Sequence, residues 1–330
     1  MPRQWLTEAD EYVCTLPPET QEVARVELRE TKYSRDQALE QMRSWIKKHP
    51  RIANCRLDAN FLLKFLRVKK FSVPQAQEAL ERYLLLRQAY AIAFSRFDHT
   101  DPVMDELISN GYLFPVPERD HLNRRVVIGI ASKFDPYKYT NADMLRVHGI
   151  TYETLMEDEI SQVHGYVHFG DGKGVSFHYL TLFTPKEAYR IGKNGEKTLP
   201  MRHKEGHAIN AHPSMKFAID YGFSLTPEKY KKRAFIHASL EDCHKYIDPK
   251  LMPKEYGGVM PMKEMIAIWK KELALKRNLI MSHDQMEVRM EMYSPKAREG
   301  AVSALREGFT IKKDDSMTYM MGSFRKLEVD

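Results

Sequence analysis

Two hydrophobic periodicities divide this chain. Up to about residue 100 the apolar positions recur every three or four residues, as on one face of a helix; beyond it, short β-branched runs alternate with helix-length segments. The spacing predicts helices over 17–30 and 34–49. Ser34 is expected to cap the second, with Gln37 completing a capping box and Leu39, Met42, Trp45 and Ile46 on its inner face. The stretch LDANFLLKFLRVKKFS follows, with Asp58 near its cap and Leu57, Phe61, Leu62 and Phe65 on one face. Lys64, Arg67, Lys69 and Lys70 gather toward its C-terminal end, where cations suit the helix dipole. Ser72 with Gln75 forms a second capping box, ahead of a stripe of Ala76, Leu80, Tyr83, Leu84 and Tyr90. A helical bundle over 1–100 is the expectation.

After Asp101 the period changes. The first convincing strand is 125–131 (RVVIGIA), bounded by charge and by Asp135-Pro136. A helix over 142–162 is predicted next, with Asn141 as cap, then a strand over 166–169 and a glycine-rich turn. Helices over 177–181 and 185–193, a strand over 207–211, a helix from Pro213 and a strand over 234–238 complete the series. Strands separated by helices make this an α/β unit, a mostly parallel sheet with packed helices. A helix over 262–275, with more helix toward 292, leads to a polar tail. The expected division is 1–100 helical bundle, 101–270 α/β domain and 271–330 C-terminal extension.

Composition narrows the functional classes. The chain has 330 residues, 43% hydrophobic and 29% charged, with a formal net charge of +6. Much of that charge sits in 200–239, where Arg202, Lys204, Lys216, Lys229, Lys231, Lys232 and Arg233 face only Glu205, Asp220 and Glu228. An anionic partner is implied. The three cysteines, Cys14, Cys55 and Cys243, are far apart, which suits reduced thiols and a cytoplasmic protein. The N-terminus lacks a signal-peptide pattern, no apolar run approaches ~18 residues, and Pro2 occupies the site of a myristoylated glycine. Membrane contact is therefore expected to be transient and peripheral.

Gly170, Gly172 and Gly174 follow a strand, but Val175 stands where a dinucleotide fingerprint needs its third small residue. Neither a P-loop nor a Gly-x-Ser-x-Gly elbow is present. His164 and His168, and His203 and His207, stand four apart, but both pairs run from a helix end or loop into a predicted strand, neither forms H-E-x-x-H, and no Cys or acid completes a plausible set. No catalytic residue, metal or cofactor is expected, and the chain is read as a non-enzyme. His148 and Tyr152 lie on one face of a predicted helix, either as satisfied core groups or as anchors for a ligand's polar head. Eighteen methionines suit a pliable apolar interior. The segment 213–225 leaves only a narrow polar stripe of Lys216, Asp220 and Ser224, so it is sandwiched in a core or covers a cavity. Nucleic acid is disfavoured because aromatics are not interleaved with the cations.

The motif LMPKEYGG at 251–258 resembles the L-P-x-E-Y-G-G signature of the CRAL-TRIO lipid-binding family. FLLKFLRVKKFS is similar to that family's F-L-L-R-F-L-R-A-R-x-F-D. Asp171-x-x-Gly174, Thr184-Pro185 and Ile209-Asn210 match further family positions, and the ending GSFRKLEVD resembles arthropod members. The resemblance implies an α/β domain enclosing one apolar molecule beneath a mobile helix. Lid residues would be Met215, Phe217, Ile219 and Phe223. Pocket walls would come from His148, Tyr152, Leu155, Tyr166, Phe177, Leu180, Phe183, Ile191 and Leu199. Arg202, Lys204, Lys229 and Arg233 would contact phosphoinositide headgroups. The implied function is a monomeric carrier of a retinoid or tocopherol-like isoprenoid that exchanges cargo at anionic membranes. The alternative is phospholipid binding or a phosphoinositide-sensing module without transfer.

Overall fold

Side-chain caps from Thr31 and Asp58 set two of the N-terminal helices in the computed structural model, which describes residues 11–182, 199–211, 220, 224 and 228–301. A short helix α1 (Pro18–Val23) runs into a wider turn over Ala24–Leu28. Helix α2 (Lys32–Lys48) is capped by Thr31, and Ser34, expected to be the cap, closes the box from the third helical position. Strand β1 (Ile52–Asn54) precedes α3 (Ala59–Val68), where Asp58 accepts from the Phe61 N–H at 3.0 Å as the sequence predicts. Helix α4 (Val73–Ala89) starts after Ser72, whose side chain makes no capping bond; Pro74 supplies the rigid first turn instead. Short helices α5 (Ala91–Phe94) and α6 (Pro102–Ser109) lead to the sheet.

The sheet has five strands in the order β2-β3-β4-β5-β6: β2 (Leu113–Arg119), β3 (Arg125–Ile130), β4 (Tyr166–Asp171), β5 (His203–Ile209) and β6 (Ala234–Ile236). β2 pairs antiparallel with β3, and the other pairs are parallel. The mostly parallel α/β architecture is thus as expected, with one added strand. Pro115 and Pro117 hide β2 from a strand pattern, and an edge strand tolerates them because its outer N–H groups need no partner. β5 begins four residues earlier than expected, since its polar start, His203-Lys204-Glu205, does not read as strand.

The long helix expected over 142–162 is two helices, α7 (Asn141–Met156) and α8 (Glu159–His164). Thr140, not Asn141, caps the first, and Asp158 leaves the helical conformation to cap the second. Gly149 has a packing reason: a Cβ there would lie 2.3 Å from the Phe97 ring. Downstream of α9 (Phe177–Thr181), the helix Met262–Ser282 runs seven residues beyond its predicted end. The helix expected toward 292 is replaced by short turns and β7 (Glu287–Val288), which pairs antiparallel with β1. Met286, Val288 and Tyr293 join the core of the N-terminal bundle. The predicted helix 185–193, the Thr184-Pro185 motif and the polar ending lie outside the described residues.

An ionic layer joins the bundle to the sheet domain. Lys64 and Arg67, on the predicted cationic end of α3, are buried at 1% and 0% exposure. Arg67 bridges Glu30 and Glu159, both at 2.9 Å, and donates to Gln162 at 2.8 Å. Lys64 lies 3.4 Å from Glu153 of α7, which also accepts from the Tyr83 hydroxyl at 2.6 Å; Arg56 meets Glu157 at 2.8 Å. Buried charges of this kind cost desolvation that only near-complete pairing offsets. Their geometry therefore fixes how α3 and α4 seat against α7.

Candidate ligand pocket and cationic edge

The two faces of the central strands differ in burial. On one face, Phe169 and Asp171 of β4 and His207 and Ile209 of β5 are buried. On the other, His168 and Gly170 of β4 and Gly206 and Ala208 of β5 retain accessible surface. The register sets Val127, His168 and Gly206 in one row and Gly129, Gly170 and Ala208 in the next. Small residues thus line up across three strands. A Cβ built on Gly206 meets no atom of the described residues within 4 Å, and one on Gly170 meets only the His207 carbonyl oxygen at 3.9 Å. Interiors are close-packed, so small residues in mid-sheet with open space before them mark a volume that the described residues leave clear of side chains.

Helix α7 borders that space with polar rings. His148 Nε2 lies 3.1 Å from the Tyr112 hydroxyl, and the His148 ring meets Tyr152 edge-on at 5.6 Å. Tyr152 in turn contacts the His168 ring at 5.8 Å, and His168 Nε2 lies 2.9 Å from His203 Nδ1. Desolvation pushes His148 down to about 4. Desolvation first, and then His203 and His148, lower His168 to about 3. Desolvation alone raises Tyr152 well above its ordinary range. All three rings are neutral at physiological pH, and offer hydrogen bonds without charge to a polar head in an apolar volume.

The other expected wall residues divide. Leu155 and Tyr166 are fully buried against each other, the Tyr166 hydroxyl donating to the Leu155 carbonyl at 3.1 Å. That bond ties the end of α7 to β4. Leu199 is half-buried and packs against both the bundle core and the sheet core. Phe177 and Leu180 fall within α9. Phe183, Ile191 and the lid residues Met215, Phe217, Ile219 and Phe223 lie outside the described residues. Sequence reasoning met His168 and Gly170 only as a metal-ligand candidate and a turn glycine, and it missed Gly206 and Ala208. Their only signal was small residues two apart in β5 beside buried His207 and Ile209.

Three of the four expected docking cations gather at the start of β5. Arg202 and Lys204 reach Glu27 of the N-terminal segment at 2.6 and 3.0 Å, and Arg202 also donates to the Val163 carbonyl. Arg233 donates to the His203 carbonyl at 3.0 Å. Lys229 is exposed on the helix Glu228–Lys231. Desolvation, with Arg202 and Arg233 nearby, lowers Lys204. Desolvation also lowers Arg202 despite its carboxylate partner. Burial works to raise Glu27, but hydrogen bonds from Arg202 and Lys204 outweigh it and hold the carboxyl at about 2. Glu27 is the partner that sequence reasoning did not supply, because it is remote in the chain.

The motif residues converge behind this site. Asp171 accepts from Asn210 Nδ2 and from the Tyr256 hydroxyl, each at 2.7 Å, and from the Lys173 N–H at 2.9 Å. Gly257 is left-handed at φ +88°, and a Cβ on Gly258 would lie 1.6 Å from the Met252 carbonyl oxygen. The D-x-x-G, I-N and E-Y-G-G elements are therefore one lock at the C-terminal ends of β4 and β5. Residues 109–258 match the CRAL/TRIO domain. Clavesin-2 of Rattus norvegicus is 30% identical over 259 residues, covering 78% of this chain and 79% of clavesin-2. The chain belongs to the CRAL-TRIO lipid-binding family. Clavesin-2 of Homo sapiens is 29% identical over 288 residues, 86% of each chain, and clavesin-1 of Xenopus laevis 29% over 260 residues, 78% of each. The crystal structure of Sfh5 aligns with TM-score 0.48 and 12% identity over 76% of this chain and 99% of that one. No helix among the described residues is long and apolar enough to cross a membrane. Within this CRAL-TRIO chain the motif lock is structural, and the open face beside it belongs to no motif.

Proposed function

We propose that this CRAL-TRIO protein is a cytoplasmic, non-enzymatic, monomeric carrier of one hydrophobic, isoprenoid-like ligand, which it exchanges at phosphoinositide-containing membranes. The observation that carries the reading is the pair of adjacent rows that carry Gly206 and, next to it, Gly170 and Ala208, left clear by the described residues before the neutral rings of His148, Tyr152 and His168. An apolar tail there is held by surface burial, at about 25 cal/mol per Å². A hydroxyl or carbonyl head, as on a tocopherol or retinoid, finds partners in the imidazole and phenol groups. A charged head finds no buried counter-charge among the described residues of that cluster, which favours an isoprenoid over a phospholipid.

Arg202, Lys204, Lys229 and Arg233 form the membrane-docking edge in this proposal, and the 213–225 segment is the lid. Guanidinium and ammonium groups suit phosphate through charge-assisted hydrogen bonds. Extraction of the purified protein followed by mass spectrometry tests the cargo, and transfer between donor and acceptor vesicles tests exchange. A co-purifying isoprenoid and catalysed transfer are expected. Vesicle binding without transfer would make the protein a phosphoinositide sensor instead. Replacement of the four cations by Ala should abolish the preference for phosphoinositide vesicles, and unchanged binding would refute the docking edge.

A further inference from the structure

On the sheet face opposite the cleared row, three metal-ligating groups from separate parts of the chain meet. His207 lies in β5, His237 follows β6, and Cys243 ends the helix Leu240–Cys243. Their ligand atoms all lie within 4.8 Å of one another. His207 and Cys243 are buried and His237 is half-buried. His207 Nδ1 faces His237 Nε2 at 3.0 Å, close to the roughly 3.3 Å that two ring nitrogens take on one tetrahedral zinc ion with ordinary Zn–N bonds.

The surroundings orient the set. His207 Nε2 lies 3.3 Å from Glu205 Oε2, and Glu205 is itself paired with Arg124 at 2.9 Å. A proton held on Nε2 toward that carboxylate leaves the Nδ1 lone pair facing His237. This carboxylate–histidine arrangement is the outer-shell support that metal-bound imidazoles use. The His237 N–H donates to the Ala208 carbonyl at 2.8 Å, which pins that residue beside β5. Phe235 and Tyr246 rings lie 5.1 and 5.4 Å from the His207 ring and wall the cluster.

We propose that His207 Nδ1, His237 Nε2 and Cys243 Sγ bind one zinc-class divalent ion, with Glu205 as the outer-shell partner of His207 and a solvent molecule as fourth ligand. Two nitrogens and a thiolate are a donor set suited to zinc rather than to calcium or magnesium. Closing the thiol onto the ion requires a shift of about 1 Å toward ordinary Zn–S contact. The ion would staple β5 to β6, the two strands that bracket residues 210–233. The site is independent of the carrier reading, since it lies on the opposite face of the sheet.

The test uses the full-length protein, stripped with a chelator and titrated with cobalt(II) and then zinc. One equivalent of cobalt is expected, with four-coordinate visible bands and thiolate-to-cobalt charge-transfer absorption, both erased by one equivalent of zinc. Cys243→Ser should remove the charge-transfer band and weaken zinc at least about tenfold, and Glu205→Gln should weaken it about 10- to 100-fold. Because Cys243 is buried, His237→Gln at the half-buried position provides a second variant, each checked for fold by circular dichroism without metal. Cys14→Ser should change nothing. Absence of stoichiometric uptake, a cobalt spectrum without the thiolate band, or equal zinc affinity in His237→Gln would each overturn the proposal.

Discussion

Gly206→Val is the most direct probe of the space before the sheet. No described atom lies within 4 Å of the added Cβ, so the β-carbon enters open space and the two γ-methyls extend from it toward the same volume. Replacing a mid-strand glycine removes backbone freedom from the unfolded chain, so the empty variant should be as stable as wild type or up to about 1 kcal/mol more stable. The ligand experiences the opposite effect. Valine places three carbons where cargo would lie, and at about 0.8 kcal/mol per buried methylene the lost contact comes to about 2.4 kcal/mol. That is roughly a fifty-fold rise in Kd. Thermal melting of delipidated protein reads the first quantity, and titration with the lipid recovered from wild-type protein reads the second. Unchanged ligand affinity would show that cargo does not approach Gly206. A Tm lowered in the empty protein would show that the space is filled.

Other perturbations address the supporting parts. Arg67→Ala leaves Glu30 in the buried ionic layer to the longer Arg35 contact at 3.4 Å and should cost about 3 kcal/mol in denaturant unfolding, where a loss below 1 kcal/mol would demote the layer to a bystander. His148, held at about 4 by desolvation, makes no pH-dependent contribution well above pH 6.5. As the pH falls, the unfolded chain takes up a proton that the folded chain refuses, a loss of about 2 kcal/mol by pH 5. His148→Asn should remove that share of the acid sensitivity, and an unaltered difference between pH 7 and 5 would contradict it. Glu27→Gln releases Arg202 and Lys204 from their carboxylate and should tighten binding to phosphoinositide vesicles by at least about fivefold, at about 1 kcal/mol per cation near the leaflet. Gly258→Ala forces a Cβ onto the Met252 carbonyl, and loss of soluble folded protein on expression is the expected readout.

The amino-acid sequence determined the class of fold and the lock that closes it. Helical periodicity predicts the bundle, a β-branched run predicts β3, and Asp171, Asn210 and Tyr256 stand out through motifs that resemble the family's, which the fold joins by shared hydrogen bonds. Elements that break local rules were not legible: β2 carries two prolines, β5 opens on polar residues, and β7 is two residues long. The cationic end of α3 was visible as charge, but its burial was not, since Glu30, Glu153 and Glu159 reach it from distant segments. The same holds for the functional surfaces. Glycine and alanine carry no chemical signature, and only strand register sets Gly170 beside Ala208 and His168 beside Gly206. His207, His237 and Cys243 show no metal spacing along the chain, because parallel pairing of β5 with β6, rather than sequence separation, brings their donors together. Local patterning therefore fixes which elements form, while the side chains that meet across them are decided by tertiary packing.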